Sequence, residues 1–218
     1  MQDREIHTVM RILQREVSRL HLPVVTEMSA RKREPFSILV STVLSLRTKD
    51  ETTREASERL LRVAPSPERL LELSEAALQR LIYPVGFYKT KARFLQGIAR
   101  ELLRTHGGRV PEDLDTLLTL KGVGRKTANL VVTLGYGKPG ICVDTHVHRI
   151  TNRWGYVRTK TPEQTEFALR RKLPGSYWIV INDYLVAYGQ NLCKPVSPFC
   201  SRCRVEPYCE KHGVTRRR

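Results

Sequence analysis

Leu117-Leu118-Thr119-Leu120-Lys121-Gly122-Val123-Gly124-Arg125-Lys126-Thr127-Ala128-Asn129-Leu130 is the stretch on which the fold turns. Apolar residues lie on both sides of a Gly-Val-Gly turn, and their spacing predicts helix, tight turn, helix. Glycines at 122 and 124 allow φ > 0 and close approach by another backbone. The N–H groups of the turn and of the following helix's first residues have no partner inside that helix. Groups of this kind coordinate phosphate with no sequence preference. A bare Gly-x-Gly also occurs in ordinary turns between helices. The basic residues Lys121, Arg125 and Lys126 favour a helix–hairpin–helix that grips a DNA phosphate, which makes Lys121, Gly122, Val123, Gly124 and Arg125 candidate DNA-binding residues.

Outward from the hairpin the pattern stays helical. Ile6, Val9, Met10, Leu13, Val17 and Leu20 form a 3.6-period stripe over residues 5–20. Residues 36–47 are apolar all round, as a central buried helix would be. Further helices are expected over 50–61, after Ser66-Pro67-Glu68, after Ser74, over 89–105 ended by His106-Gly107-Gly108, over 111–120, over 127–134, after the capping box Thr161-Pro162-Glu163-Gln164, and over 176–188. No period-2 run is long enough to read as a strand, and no repeat of 20–50 residues stands out. The expected fold is all-α, about ten helices in two lobes with a cleft between them as the default site.

Charge and composition narrow the function. The 218 residues include 38 Lys+Arg against 22 Asp+Glu, a formal net charge of +16. An excess of that size on a globular chain points to a polyanionic partner, first of all nucleic acid. Hydrophobic residues at 40% exclude intrinsic disorder. No apolar run reaches the ~18–20 residues of a membrane span. The N-terminus carries Asp3, Arg4, Glu5, Arg11, Arg15 and Glu16 where a secretory signal needs an apolar stretch, so a cytoplasmic protein is expected.

Four of the five cysteines crowd into the tail as Cys193-x6-Cys200-x2-Cys203-x5-Cys209. In a reducing compartment, four thiols so close suit a metal centre better than two disulfides. Spacing alone leaves zinc and a cubane iron–sulfur cluster equally open. Cys142, within Gly140-Ile141-Cys142-Val143, reads as a small core residue rather than a fifth ligand.

Two residues could do chemistry. Lys126 lies in the first turn of a helix, where the helix dipole and Arg125 both work against an ammonium, and an uncharged lysine amine attacks carbonyl-like carbon to form Schiff bases. The same lysine could instead simply touch phosphate. Asp144, in Val143-Asp144-Thr145-His146, reads either as the N-cap of the helix that starts there or as a carboxylate stabilising positive charge at an anomeric carbon, and one residue can do both. His146 and His148 are a weak metal signal.

The Leu-x-Gly-Val-Gly-Arg-Lys-Thr-Ala hairpin, the Val143-Asp144-Thr145-His146 motif and the cysteine tail, in that order, resemble the endonuclease III family of helix–hairpin–helix DNA glycosylases over nearly the whole chain. The resemblance implies a six-helix domain at 28–138 carrying the hairpin, and a discontinuous domain of 1–27 and 139–218 closed by a [4Fe–4S] cluster on Cys193, Cys200, Cys203 and Cys209. It implies a monomer acting on double-stranded DNA that contains damaged pyrimidines or abasic sites. Lys126 would displace the base at C1′, β-elimination would cut the strand, and Asp144 would support the transition state. The alternatives are a monofunctional adenine or thymine mismatch glycosylase, which generally lacks the hairpin lysine, and a non-catalytic DNA-binding module.

Two segments match the family more loosely. Tyr83-Pro84-Val85-Gly86-Phe87-Tyr88 resembles a loop that inserts an apolar wedge into the duplex, with Phe87 as the wedge and core packing as its alternative. Leu44-Ser45-Leu46-Arg47-Thr48-Lys49-Asp50 aligns where well-known bacterial members place a Gln in the gap left by the flipped nucleotide; Arg47 stands there, suited to hydrogen-bonding an orphaned guanine. The family's usual Pro before Gly-Val-Gly is replaced by Lys121.

Overall fold

The computed structural model describes residues 1–20, 23–31 and 34–218. Among the described residues it is all-helical, with twelve α-helices and no strand. Its contacts divide the chain into two compact units, Met1–Pro23 with Pro139–Arg218, and Val24–Lys138. α1 (Ile6–Val17) opens the first unit. The second contains α2 (Val24–Arg31), α3 (Pro35–Ser45), α4 (Asp50–Val63), α5 (Pro67–Leu71), α6 (Glu75–Ile82), α7 (Tyr88–His106), α8 (Leu114–Thr119) and α9 (Arg125–Leu130), which continues as a π-helical turn, Val131–Gly135. The first unit resumes with α10 (Thr145–Arg153), α11 (Pro162–Lys172), α12 (Val180–Asn191) and the cysteine loop.

In the Val24–Lys138 unit, α3 is the central helix. Eight of its eleven residues are buried, around its whole circumference, and α2, α4, α7 and α9 pack against it. That follows from its composition, since a helix apolar on every face has to be surrounded. Glu34 starts it by accepting from the N–H groups of Phe36 and Ser37, at 3.1 and 2.6 Å, ahead of Pro35 in the first turn. In the other unit α12 packs on α1 and α10 around Trp154, Tyr156 and Tyr188. The α1 stripe Ile6, Val9, Met10, Leu13 and Val17 is no more than 3% exposed. Burial of each such side chain contributes roughly 1.5–3 kcal/mol before the cost of ordering it. Cys142 is buried in this core beside Ile141 and Val143, as a small apolar residue would be.

The helix starts follow the expected capping chemistry. Ser66 accepts from Arg69 N–H, Ser74 from Ala77 N–H and Thr161 from Gln164 N–H. The reciprocal bond at Thr161 is shifted by one residue: Gln164 Oε1 accepts from Lys160 N–H at 2.9 Å. α2 had no sequence expectation, and the helix expected from 111 begins only at Leu114, because Asp113 takes the cap with a 2.8 Å bond from Thr116 N–H. Among the described residues no helix is long and apolar enough to cross a membrane.

Candidate active site and metal centre

The hairpin is built by α8, the turn Leu120–Gly124 and α9. Leu117, Leu120 and Val123 are buried and tie the turn to the core from inside. Val123, a candidate DNA-binding residue, keeps its side chain in the core, and its N–H donates to Leu120 O at 3.0 Å. Gly122 is left-handed, φ +93°, and a Cβ on it would lie 2.7 Å from the Phe94 ring, so a side chain is what crowds this glycine rather than another backbone. Gly124 differs from expectation, since its φ is −97° and a Cβ there would meet nothing within 4 Å. It is the N-cap of α9, which begins at Arg125, two residues earlier than the helix expected from Thr127, and it offers no side-chain cap. The first N–H groups of α9 have no acceptor inside the helix, and Gly124 supplies none from a side chain. Lys126 is the second residue of α9 and partly exposed, Arg125 is partly exposed and Lys121 is exposed, while Thr127 to Leu130 are buried.

Asp144 is the N-cap of α10. Its Oδ1 accepts from the N–H groups of both His146 and Val147 at 2.8 Å, so both bonds fall on one oxygen and Oδ2 stands outside the cap. The carboxylate is partly exposed. The cap fixes its orientation without consuming both oxygens, which is what a carboxylate needs to serve a second role. His146 and His148 are engaged elsewhere in the protein. His146 Nδ1 meets Arg149 Nη2 at 3.0 Å, and His148 Nδ1 meets Thr165 Oγ1 at 2.7 Å. Lys126 belongs to the Val24–Lys138 unit and Asp144 to the other.

Arg47 and Phe87, 40 positions apart in sequence, meet on one patch, with the Arg47 guanidinium 5.6 Å from the Phe87 ring centroid. Both are exposed, Phe87 at 63%, which removes the core-packing alternative. Both are left-handed, at φ +53° and +58°. For a residue with a Cβ that conformation costs roughly 1–2 kcal/mol. Beneath them lies Lys91, a residue the sequence reading passed over. It is 5% exposed, and its ammonium donates to Leu44 O at 2.8 Å, to Leu46 O and to Thr48 Oγ1 at 3.1 Å. Burial draws that ammonium down to about 8. The signal was present in the sequence, because Lys91 sits on the apolar stripe Lys91, Ala92, Leu95, Ile98, Ala99 and Leu102 of α7.

The four tail cysteines line a single cavity together with Arg153, Trp154, Tyr188 and Phe199. Two short 3-10 turns, Cys200–Arg202 and Glu206–Tyr208, deliver Cys203 and Cys209 as the residues that end them. Burial pushes the thiols of Cys200 and Cys203 up and that of Cys209 to about 11, so the thiolate forms call for a positive partner. Arg153 holds the loop's entry, donating to Lys194 O at 2.7 Å and Pro195 O at 2.6 Å and reaching Cys193 Sγ at 3.4 Å; Tyr188 Oη lies 3.1 Å from Cys203 Sγ. Among the described residues no three His, Cys, Asp or Glu gather as they would about a single metal ion. Four cysteine thiols lining one cavity are a donor set that suits zinc or a [4Fe–4S] cluster. Arg218, exposed, bonds Pro198 O through its N–H at 2.9 Å and lays its guanidinium 4.0 Å from the Phe199 ring centroid.

Residues 40–175 match the HhH-GPD superfamily of base excision DNA repair proteins. Endonuclease III of Thermotoga maritima is 47% identical over 180 residues, covering 83% of this chain and 84% of that protein. The chloroplastic endonuclease III homolog 1 of Arabidopsis thaliana is 42% identical over 183 residues, but this chain spans only 48% of its length. Among solved structures, endonuclease III trapped as a covalent intermediate with DNA, an estranged-adenine complex, superposes with a TM-score of 0.87 and 30% identity, over 97% of each chain. Members of this family typically hold a [4Fe–4S] cluster, and the C-terminal cysteines are present here. The chain belongs to the endonuclease III family of the HhH-GPD superfamily, the bifunctional DNA glycosylases and AP lyases of base excision repair.

Proposed function

We propose that this chain excises damaged pyrimidines from double-stranded DNA and incises the abasic site, with Lys126 as nucleophile and Asp144 as its supporting carboxylate. The observation that carries the reading is the start of α9, where Gly124, an N-cap with no side chain, lies two residues before the partly exposed Lys126. The main-chain N–H groups there bind a phosphate of the lesion strand, with Lys121 and Arg125 adding charge. The damaged nucleotide leaves the stack at a cost of about a few kcal/mol. Uncharged Lys126 Nζ then bonds to C1′ as the glycosidic bond breaks and its electron pair leaves with the base. Asp144 stabilises the positive charge that develops on the sugar and assists the proton transfers. Loss of the ring bond gives a Schiff base between Lys126 and C1′, which makes the 2′ proton acidic. Its removal expels the 3′ phosphate, and water releases the lysine.

Val24–Lys138 then serves as the hairpin domain, and Met1–Pro23 with Pro139–Arg218 as the cluster domain. Cys193, Cys200, Cys203 and Cys209 hold a [4Fe–4S] cluster that ties the tail into a loop. That loop carries Lys194, Arg202 and Arg204 as further phosphate contacts.

The test is borohydride reduction during reaction on an abasic duplex. The native chain should yield a covalent protein–DNA adduct. Lys126→Gln should lose it by three or more orders of magnitude, as removal of a nucleophile does, while duplex affinity stays within about threefold. An adduct that survives in Lys126→Gln assigns the chemistry to another amine and ends this reading.

A further inference from the structure

The patch formed by Arg47 and Phe87 is made of two segments far apart in sequence, and each would have to hold an unfavourable backbone conformation unaided. Arg47 lies in the turn after α3, and Phe87 is the residue that starts α7. Two kinds of contact join the segments. The first is the Lys91 ammonium, rooted one turn into α7, whose three acceptors Leu44 O, Leu46 O and Thr48 Oγ1 all belong to the segment that carries Arg47. The second is Gly86, next to Phe87. Its N–H donates to the same Thr48 Oγ1 at 3.2 Å, and a Cβ on it would lie 2.5 Å from Arg47 O. The two main chains are therefore in direct contact immediately behind the two exposed side chains.

We propose that Lys91 is the positioning residue of a preassembled double wedge, holding Arg47 and Phe87 in one rigid unit before DNA arrives. This rests on the reading of Arg47 and Phe87 as the side chains that enter the duplex. A fixed unit enters a base stack without first ordering two loops, and the energy of contact goes to unstacking instead. Lys91 touches neither DNA nor the reacting atoms. Its ammonium saturates the carbonyls that end α3 and thereby sets the turn from which Arg47 projects.

A merely structural lysine and a wedge-positioning lysine differ in one readout. Extrusion of a nucleotide is needed in duplex DNA and hardly at all in a single strand, so the quantity to measure is the ratio of borohydride-trapping rates on an abasic site in duplex and in single-stranded DNA. Lys91→Met keeps the chain length and removes the three donors. Thr48→Val removes the shared acceptor and serves as the second variant if Lys91→Met does not fold. Either folded variant should lower the duplex-to-single-strand ratio on the order of tenfold, the scale set by sub-ångström misplacement of a working group. Its single-strand rate should change less than about threefold. Circular dichroism establishes the folding of each.

A folded Lys91→Met or Thr48→Val that leaves the ratio unchanged, or lowers both rates together, overturns the positioning role. Phe87→Ala and Arg47→Ala separate this failure from failure of the wedge reading itself. If they lower the ratio while the Lys91 and Thr48 variants do not, only the positioning role is lost. If they leave it unchanged, the wedge reading is lost and the proposal with it.

Discussion

At Gly122 the backbone turns left-handed three residues before α9 begins. At Arg47 and Phe87 it does so three residues before α4 and immediately before α7. All three turns lead into a helix that has a basic residue near its start in sequence. They differ in what occupies the left-handed position. The hairpin uses glycine, for which that conformation carries no Cβ penalty. The other two positions keep large side chains there, at roughly 1–2 kcal/mol each. On the proposed reading of the two sites, the difference separates two ways of meeting DNA. Where the main chain does the binding, a side chain is only in the way and glycine is the economical residue. Where a strained position holds Arg and Phe, exposed and in contact with each other, the side chains are the reason for the strain.

The largest effect of breaking this contrast falls on the hairpin. Gly122→Ala adds a Cβ at φ +93°, 2.7 Å from the Phe94 ring, so backbone strain and a clash with a ring packed beside it come together. Unfolding in urea should show a loss of about 2–3 kcal/mol at unchanged m-value. A loss below about 0.5 kcal/mol would mean the turn relaxes freely and glycine is not required. Phe87→Gly runs the other way. It removes the strain at φ +58° and an exposed ring that contributes little to the core. Stability should hold or rise by up to about 1 kcal/mol, less the added freedom of the unfolded chain. Trapping on duplex abasic DNA should nevertheless fall on the order of tenfold. A variant both less stable and fully active would place Phe87 in the structural category and dissolve the contrast.

How much of this was legible in sequence follows from how local each signal is. The hairpin was readable because its glycines, buried Leu117 and Leu120, and basic residues fall within a dozen positions. The cap at Asp144 and the four cysteines were readable for the same reason: one residue type at a fixed short spacing meets its own neighbours. Phe87 was ambiguous, because an aromatic among Val85 and Tyr88 reads equally as core, and only the loop's placement exposes it. Lys91 was missed outright. Its acceptors lie 43 to 47 positions away, and nothing in α7 itself names them. A lysine on an apolar stripe is nonetheless a visible inconsistency, since an unpaired ammonium is not left in a core. Val123 was named for the main chain of the Gly-Val-Gly turn, and that its side chain completes the core was not read from the sequence. Arg218 docks on Phe199, a contact between two segments that no local pattern links.

The smallest expected change in stability tests the hairpin's half of the contrast most directly. Gly124 is extended, φ −97° and ψ 175°, a conformation any residue adopts, and the space a Cβ would take is open to 4 Å. Neither strain nor packing within the chain therefore explains a glycine at this N-cap. Serine is among the preferred N-caps, and exchange between serine and glycine there changes stability by only a few tenths of a kcal/mol. Gly124→Ser should be that much more stable, because its hydroxyl accepts from an N–H in the first turn of α9. The same hydroxyl occupies a donor assigned to phosphate. Duplex affinity should fall severalfold and the slope of log K against log salt should shrink by up to about one phosphate's worth, 0.9. If stability rises while affinity and slope stay as they were, the N–H groups at the start of α9 are not the phosphate donors. The basic side chains Lys121 and Arg125 would then carry the contact alone, and the hairpin would bind DNA in the manner proposed for the wedge patch, through what its side chains reach.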